Sequence, residues 1–292
     1  MADKTWNVAD ILATTADFLA KKNPSSPRLE AELLLSEVLG LKRVQLYINF
    51  ERILTTSEVD AYRELVRRRA AREPIAYILG RKEFYKLDLT VSPSTLIPRP
   101  ETEHLVDEAI RILKRLNLAQ AKVADIGCGS GAIALALASN LPQITVSAVD
   151  ISAEALEVAE QNAKKHNLAE RIRFFAGDLT EPLVGERFDV ICANLPYIPH
   201  EEMANLAPDV ALFEPKSALD GGVDGLEPIQ KLLTNVTDFL SPQGHLLLEI
   251  WPSSIGKLQE LAGRFGLNPQ EPVLDYSKKP RIFVASIAPA SS

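Results

Sequence analysis

From Gln120 onward the chain alternates short apolar runs with helical stretches, and that alternation commits it to a mostly parallel sheet with helices on both faces. Residues 121–126, 144–149, 172–176, 188–193, 245–250 and 281–286 read as strands. Helical spacing fills 132–139, 152–166, 227–240 and 255–265. In an α/β sheet of this kind the ligand crevice opens at the carboxyl ends of the strands. Chemistry is therefore expected on the loops that follow strands.

The first eighty or so residues have a different period. Val8, Ile11, Leu12, Thr15 and Leu19 recur at helical spacing behind the N-cap Asn7, and Asn23-Pro24 stops the run. A second helix starts near Pro27, carries Leu29, Leu33, Leu34 and Val38, and ends at Gly40; a third runs from Thr56-Ser57 to about Arg72. The cluster Arg67, Arg68, Arg69 and Arg72 reads as a solvated face with Glu64 paired to Arg68, or else as a docking patch for a polyanion or an acidic surface. Phe84, Leu87, Leu89 and Val91 then alternate with polar residues as a short hairpin would. Pro93, Pro98 and Pro100 lead into a helix over 101–116. The expected division is a helical domain over 1–80, an extended or hairpin linker over 81–100, and an α/β domain over 101–292 whose tail, 288–292, reads as frayed.

Composition narrows the function classes. A net charge of −7 opposes nonspecific nucleic-acid binding, so no stable nucleic-acid partner is expected. Cys128 and Cys192 cannot build a disulfide framework. The start, with Asp3 and Lys4, has no apolar signal region, and no apolar run reaches membrane-spanning length. A reduced, cytoplasmic setting without a membrane is the simplest reading. His104, His166, His200 and His245 show no ligand spacing, so no metal is expected.

Asp125-Ile126-Gly127-Cys128-Gly129-Ser130-Gly131 joins a strand to a helix, and its glycines let the backbone turn tightly against a ligand. Gly127, Gly129 and Ala132 also satisfy a dinucleotide fingerprint, and Asp150 suits the ribose of either cofactor. Two residues favour S-adenosylmethionine. Asp125 stands where a carboxylate could hold a cationic amino-acid end, and Asp178 stands where one could accept from an adenine amino group, with Leu179 packed on the ring. A glycine turn that merely reverses the chain is the bland alternative. Both cysteines read as small apolar fillers at the ligand edge.

Asn194-Leu195-Pro196-Tyr197 follows the strand 188–193 directly. The Asn194 oxygen and the Leu195 carbonyl can each accept one hydrogen of a planar –NH2 group, while Tyr197 packs on its face. The tetrapeptide suggests chemistry on an amide or amino nitrogen; an ordinary strand-to-loop turn is the alternative.

Taken together the residues resemble the protein-(glutamine-N5) methyltransferases that modify peptide chain release factors, the PrmC/HemK family. The likeness covers nearly the whole chain: Arg69 with Glu73-Pro74-Ile75-Ala76-Tyr77-Ile78-Leu79-Gly80, Glu83-Phe84, Leu96-Ile97-Pro98-Arg99-Pro100-Glu101-Thr102-Glu103, the glycine loop, Ala148-Val149-Asp150, Gly177-Asp178, the Asn194 tetrapeptide, Phe213-Glu214-Pro215 and Ala218-Leu219. The resemblance implies a Rossmann-like, seven-stranded class I methyltransferase domain behind a small helical domain that recognises the protein substrate. It also implies methyl transfer from S-adenosylmethionine to the glutamine of a release-factor Gly-Gly-Gln motif. Asn194, Pro196 and Tyr197 would be catalytic, and with Leu195 would bind substrate. Asp125, Ile126, Gly127, Cys128, Gly129, Gly131, Asp150, Ile151, Asp178, Leu179 and Asn194 would hold the cofactor.

Two positions depart from the family pattern. Leu195 replaces a proline, which frees a torsion and restores an N–H while keeping the carbonyl, and Trp251 stands where a glycine is usual. Two alternatives stay open: an RNA adenine methyltransferase, and a methyltransferase-fold binding protein with weakened catalysis.

Overall fold

The computed structural model describes residues 5–22 and 26–287; the expected stop at Asn23-Pro24, the start at Asp3 and Lys4, and the tail from Ala288 lie outside them. The chain falls into two units, Met1–Gly80 with Pro208–Phe213, and Arg81–Ala207 with Glu214–Ser292.

The smaller unit holds α1 (Val8–Ala20), α2 (Pro27–Leu39), α3 (Arg43–Ile48), α4 (Thr56–Ala70) and α5 (Ile75–Leu79), and a short helix from far along the chain, α9 (Pro208–Phe213). Asn7 accepts the Asp10 N–H at 2.8 Å and starts α1, whose Val8, Ile11, Leu12, Thr15 and Leu19 are all buried. Thr55 and Glu58 cap α4 reciprocally. In α2 the inward side differs from the expected one. Leu29 is exposed, while Glu30 and Glu32 are buried and met by arginines. Arg69 bonds Glu30 at 3.0 and 3.1 Å, and Arg28 and Arg43 bond Glu32 at 2.7 and 2.8 Å.

This revises the arginine cluster. Arg67, not Arg68, takes Glu64; Arg68 pairs with Glu73; Arg69 is buried; and Arg72 lies 3.5 Å from Asp209 of α9. Charges already matched in this way do not form an open stripe for a polyanion.

The larger unit opens with the hairpin β1 (Arg81–Phe84) and β2 (Leu87–Thr90), turned by Tyr85 and Lys86 at φ 48° and 66°, the left-handed pair a tight hairpin needs. Residues 81–100 lie within this unit. There follow α6 (Glu103–Leu116), β3 (Ala121–Ile126), α7 (Ala132–Asn140), β4 (Ile144–Asp150), α8 (Ala153–Lys165), β5 (Ile172–Ala176), β6 (Phe188–Ala193), α10 (Glu227–Leu233), α11 (Val236–Phe239), β7 (Leu240–Glu249), α12 (Ile255–Arg264), β8 (Leu267–Pro269), β9 (Val273–Leu274) and β10 (Pro280–Ile287). The sheet runs β5-β4-β3-β6-β7-β10-β8, with β9 added on β10. Its β5-to-β7 part is parallel and β10 is antiparallel.

Both faces are covered. Val123, Val190 and Cys192 belong to the apolar cluster that contains Leu105 and Ile133, whereas Ala124, Ile126 and Ile191 belong to the one that contains Ile229 and Leu258. That two-residue alternation buries the central strands on both faces. The chain steps outward from β3 to β4 and β5, then returns to β6 on the opposite flank of β3. At such a reversal neighbouring loops diverge and leave a crevice.

Candidate active site

The loops after β3 and β6 meet at this reversal. Gly127 and Cys128 both donate their N–H to the Val149 carbonyl, at 2.8 and 2.9 Å. Asp150, ending β4, accepts from Gly129 N–H at 2.7 Å through one oxygen and from Ser152 N–H at 2.9 Å through the other. Gly127 sits at φ 72°, and a Cβ there would stand 3.1 Å from Leu195 Cδ2. The side chain that replaces the usual proline is thus buried over the glycine turn and joins the two loops. Asn162 of α8 bonds Ser130 O at 3.0 Å and both backbone groups of Thr90, at 2.7 and 2.9 Å, which ties the glycine loop to the hairpin.

A cavity of about 360 Å³ lies between these loops. Gly127, Cys128, Gly129, Asp150, Ile151, Asp178, Leu179, Asn194, Leu195 and Pro196 all line it. The lining also contains two sets of residues to which the sequence assigned no site role: Ser94, Thr95, Leu96 and Pro98, and Pro215, Ser217 and Ala218. Buried Glu214 holds both, accepting from Ile97 N–H at 3.1 Å and from the Arg99 guanidinium. Asp178 carries an ion pair to Lys231.

Four expected site residues stand outside the lining: Asp125, Ile126, Gly131 and Tyr197. Ile126 is core. At Gly131, φ 79°, a Cβ would come within 2.9 Å of Leu135 and 3.2 Å of Ala159, so this glycine serves the packing of α7 on α8. Asp125 is fully buried; one oxygen accepts Ala134 N–H at 3.0 Å and the other has no partner. Burial pushes its carboxyl up to about 7, against the Ala134 bond and with a further rise from Asp150. Cys128 and Cys192 are buried too, and burial pushes both thiols well up.

Tyr197 points to a second buried acid. Its hydroxyl donates to Glu249 Oε1 at 2.8 Å, and its ring lies 6.3 Å from that of Trp251. Burial, with Glu249 alongside, pushes the Tyr197 phenol up. Thr102 donates to Glu249 Oε2 at 2.6 Å, and Asn194 Nδ2 donates to Thr102 Oγ1 at 3.2 Å. Glu249 ends β7 and is 1% exposed. A glutamate closing an apolar strand was the only sequence signal for it.

These residues fit S-adenosylmethionine on two counts. The Gly127 turn admits a ligand where a side chain would intrude, and Asp150 is held by two backbone N–H groups at the cavity wall beside apolar Ile151. Among the described residues no group of His, Cys, Asp and Glu is placed to hold a metal ion, and no helix is long and apolar enough to cross a membrane.

Comparison with known proteins agrees with this geometry. Residues 10–80 match the PrmC N-terminal domain and residues 102–219 the Methyltransferase small domain. A release factor glutamine methyltransferase from Geobacter sulfurreducens is 45% identical over 89% of this chain and 88% of its own length. One from Chlorobaculum tepidum is 40% identical over 96% and 97%. In fold, a methyltransferase from Pyrococcus furiosus superposes with a TM-score of 0.51 at 19% identity, over 70% of this chain and 90% of that one. The chain belongs to the release factor glutamine methyltransferase family.

Proposed function

We propose that this protein methylates the side-chain amide nitrogen, N5, of the glutamine in the Gly-Gly-Gln motif of peptide chain release factors, in the cytoplasm, with S-adenosylmethionine as donor. One observation carries the reading: Asn194, Leu195 and Pro196 share a single cavity with the glycine loop and Asp150. When bound, the sulfonium supplies an electrophilic methyl carbon with a neutral thioether as leaving group.

An amide nitrogen is a poor nucleophile because its lone pair is delocalised into the carbonyl. The residues improve it by geometry. Asn194 Oδ1 and the Leu195 carbonyl accept the two N–H hydrogens and turn the lone pair toward the methyl carbon. Both bonds strengthen as positive charge develops on nitrogen, so they favour the transition state over the ground state. No base is needed before attack; the methylated nitrogen loses one N–H proton to solvent after the thioether leaves. Holding the partners in line supplies much of the remaining rate. The acidic net charge suits a protein substrate better than a nucleic acid.

The test is to incubate the protein with methyl-labelled cofactor and either a release factor or ribosomal RNA. Label is expected on the Gly-Gly-Gln glutamine, located by peptide mass spectrometry. Label in RNA, or in neither, overturns the reading.

A further inference from the structure

Asn194 serves an incoming –NH2 only if its oxygen, and not its nitrogen, faces that group. The two orientations of a carboxamide have almost the same shape, so neighbouring hydrogen bonds must choose between them. Here the choice is made by the residues bonded, directly or in turn, to the Asn194 nitrogen. Thr102 has one hydroxyl proton and gives it to Glu249 Oε2 at 2.6 Å. Its Oγ1 then has only lone pairs to offer, and it takes an N–H from Asn194 Nδ2 at 3.2 Å. Glu249 Oε1 is already engaged by the Tyr197 hydroxyl at 2.8 Å. A carboxylate only accepts, so the direction of every bond in the chain follows from its buried end.

We propose that Thr102 and Glu249 are positioning residues that lock the amide of Asn194 with Oδ1 toward the substrate, and thereby select a side-chain –NH2 as methyl acceptor. The inference rests on the glutamine-methylation reading above. Thr102 is 3% exposed and Glu249 1%, so water does not compete for these bonds. Burial raises the Glu249 carboxyl above its usual range. An acid form with its proton on Oε1, donated to the Tyr197 phenol oxygen, still accepts at Oε2, which leaves the polarity toward Asn194 unchanged. Tyr197 anchors the same carboxylate and so keeps Glu249 from turning away from Thr102.

The experiment compares full-length wild type, Thr102→Val, Thr102→Ser, Asn194→Asp and the double variant Thr102→Val with Asn194→Asp. Steady-state methylation of a release factor is measured, together with S-adenosylhomocysteine affinity by calorimetry. Thr102→Val keeps the shape and loses the hydroxyl; kcat should fall about tenfold or more, with cofactor-product affinity unchanged. Thr102→Ser should restore most of the rate. An aspartate has oxygen on both sides and needs no orientation, so Asn194→Asp should cost clearly less in the valine background than beside Thr102. A wild-type rate in Thr102→Val, a fall in affinity that matches the fall in rate, or losses that simply multiply in the double variant would overturn the proposal. If wild type labels no release factor, the acceptor assignment itself fails and this inference falls with it. With wild type active, only the Thr102 and Asn194 outcomes decide.

Discussion

Asn194 combines a position on the cavity wall with a tether that engages only its nitrogen. Truncating it should therefore separate catalysis from cofactor binding. In Asn194→Ala, kcat for release-factor methylation is expected to fall by about a hundredfold or more, the cost typical of a lost transition-state hydrogen bond. The S-adenosylhomocysteine dissociation constant should stay within the error of wild type in the same preparation. A variant with near-normal kcat would remove Asn194 from the mechanism. Asp125 makes a different kind of prediction, one about stability. An unfolded aspartate titrates at about 3.9, whereas the folded carboxyl holds its proton up to about 7. Between those values the folded state binds more protons than the unfolded one, so stability falls as pH rises through that window. Asp125→Asn removes the dependence. Without cofactor, its stability advantage over wild type should grow between pH 5 and pH 8, by on the order of 3 kcal/mol. Equal advantages at both pH values, read by urea titration, would refute the burial argument.

At the level of elements, the Arg69–Glu30 pair joins α4 to α2 in the smaller unit with almost no exposure. Arg69→Ala leaves a buried carboxylate without its partner and is expected to cost about 3–5 kcal/mol. Urea denaturation followed by helical circular dichroism should show that loss, while Arg67→Ala, at a solvent-facing pair, should leave the curve in place. The sequence displays only some of this scale. The bounds of β3, β5 and β6 are legible because runs rich in apolar and β-branched residues stop at Gly127, Gly177 and Asn194. The helices α3 and α5, of 6 and 5 residues, are too short to show a period. The expected helix over 227–240 divides at Thr234 and Asn235 into α10 and α11, residues whose side chains compete for backbone partners. The candidate site splits along the same line. Its glycine loop and tetrapeptide stand at strand ends and carry local motifs. Its other walls, 94–98 and 215–218, are held by an Arg99–Glu214 pair 115 residues apart, which no local spacing reveals. Asp125 stands off the lining because of the pleat: Ala124 and Ile126 share one apolar cluster, so Asp125 turns to the opposite face and meets Ala134 of α7.

For the whole molecule, connectivity is the informative feature. The chain leaves the larger unit after Ala207, contributes Pro208–Phe213 to the smaller one, and re-enters at Glu214. Asp209 lies 3.6 Å from Arg69 and 3.5 Å from Arg72. A fragment of residues 1–80 should therefore melt below the same fragment carrying 206–215 on a Gly/Ser linker, as followed by circular dichroism; identical melting would mean that the returning helix contributes nothing to its unit. The same six residues govern recombination between relatives. A crossover at Gly80 would give the acceptor a foreign set of arginines facing its native hexapeptide, so a working chimera must inherit both pieces from one parent. Ancestry of the smaller unit is thus written in two separated stretches of the gene, and only the first is visible as a module.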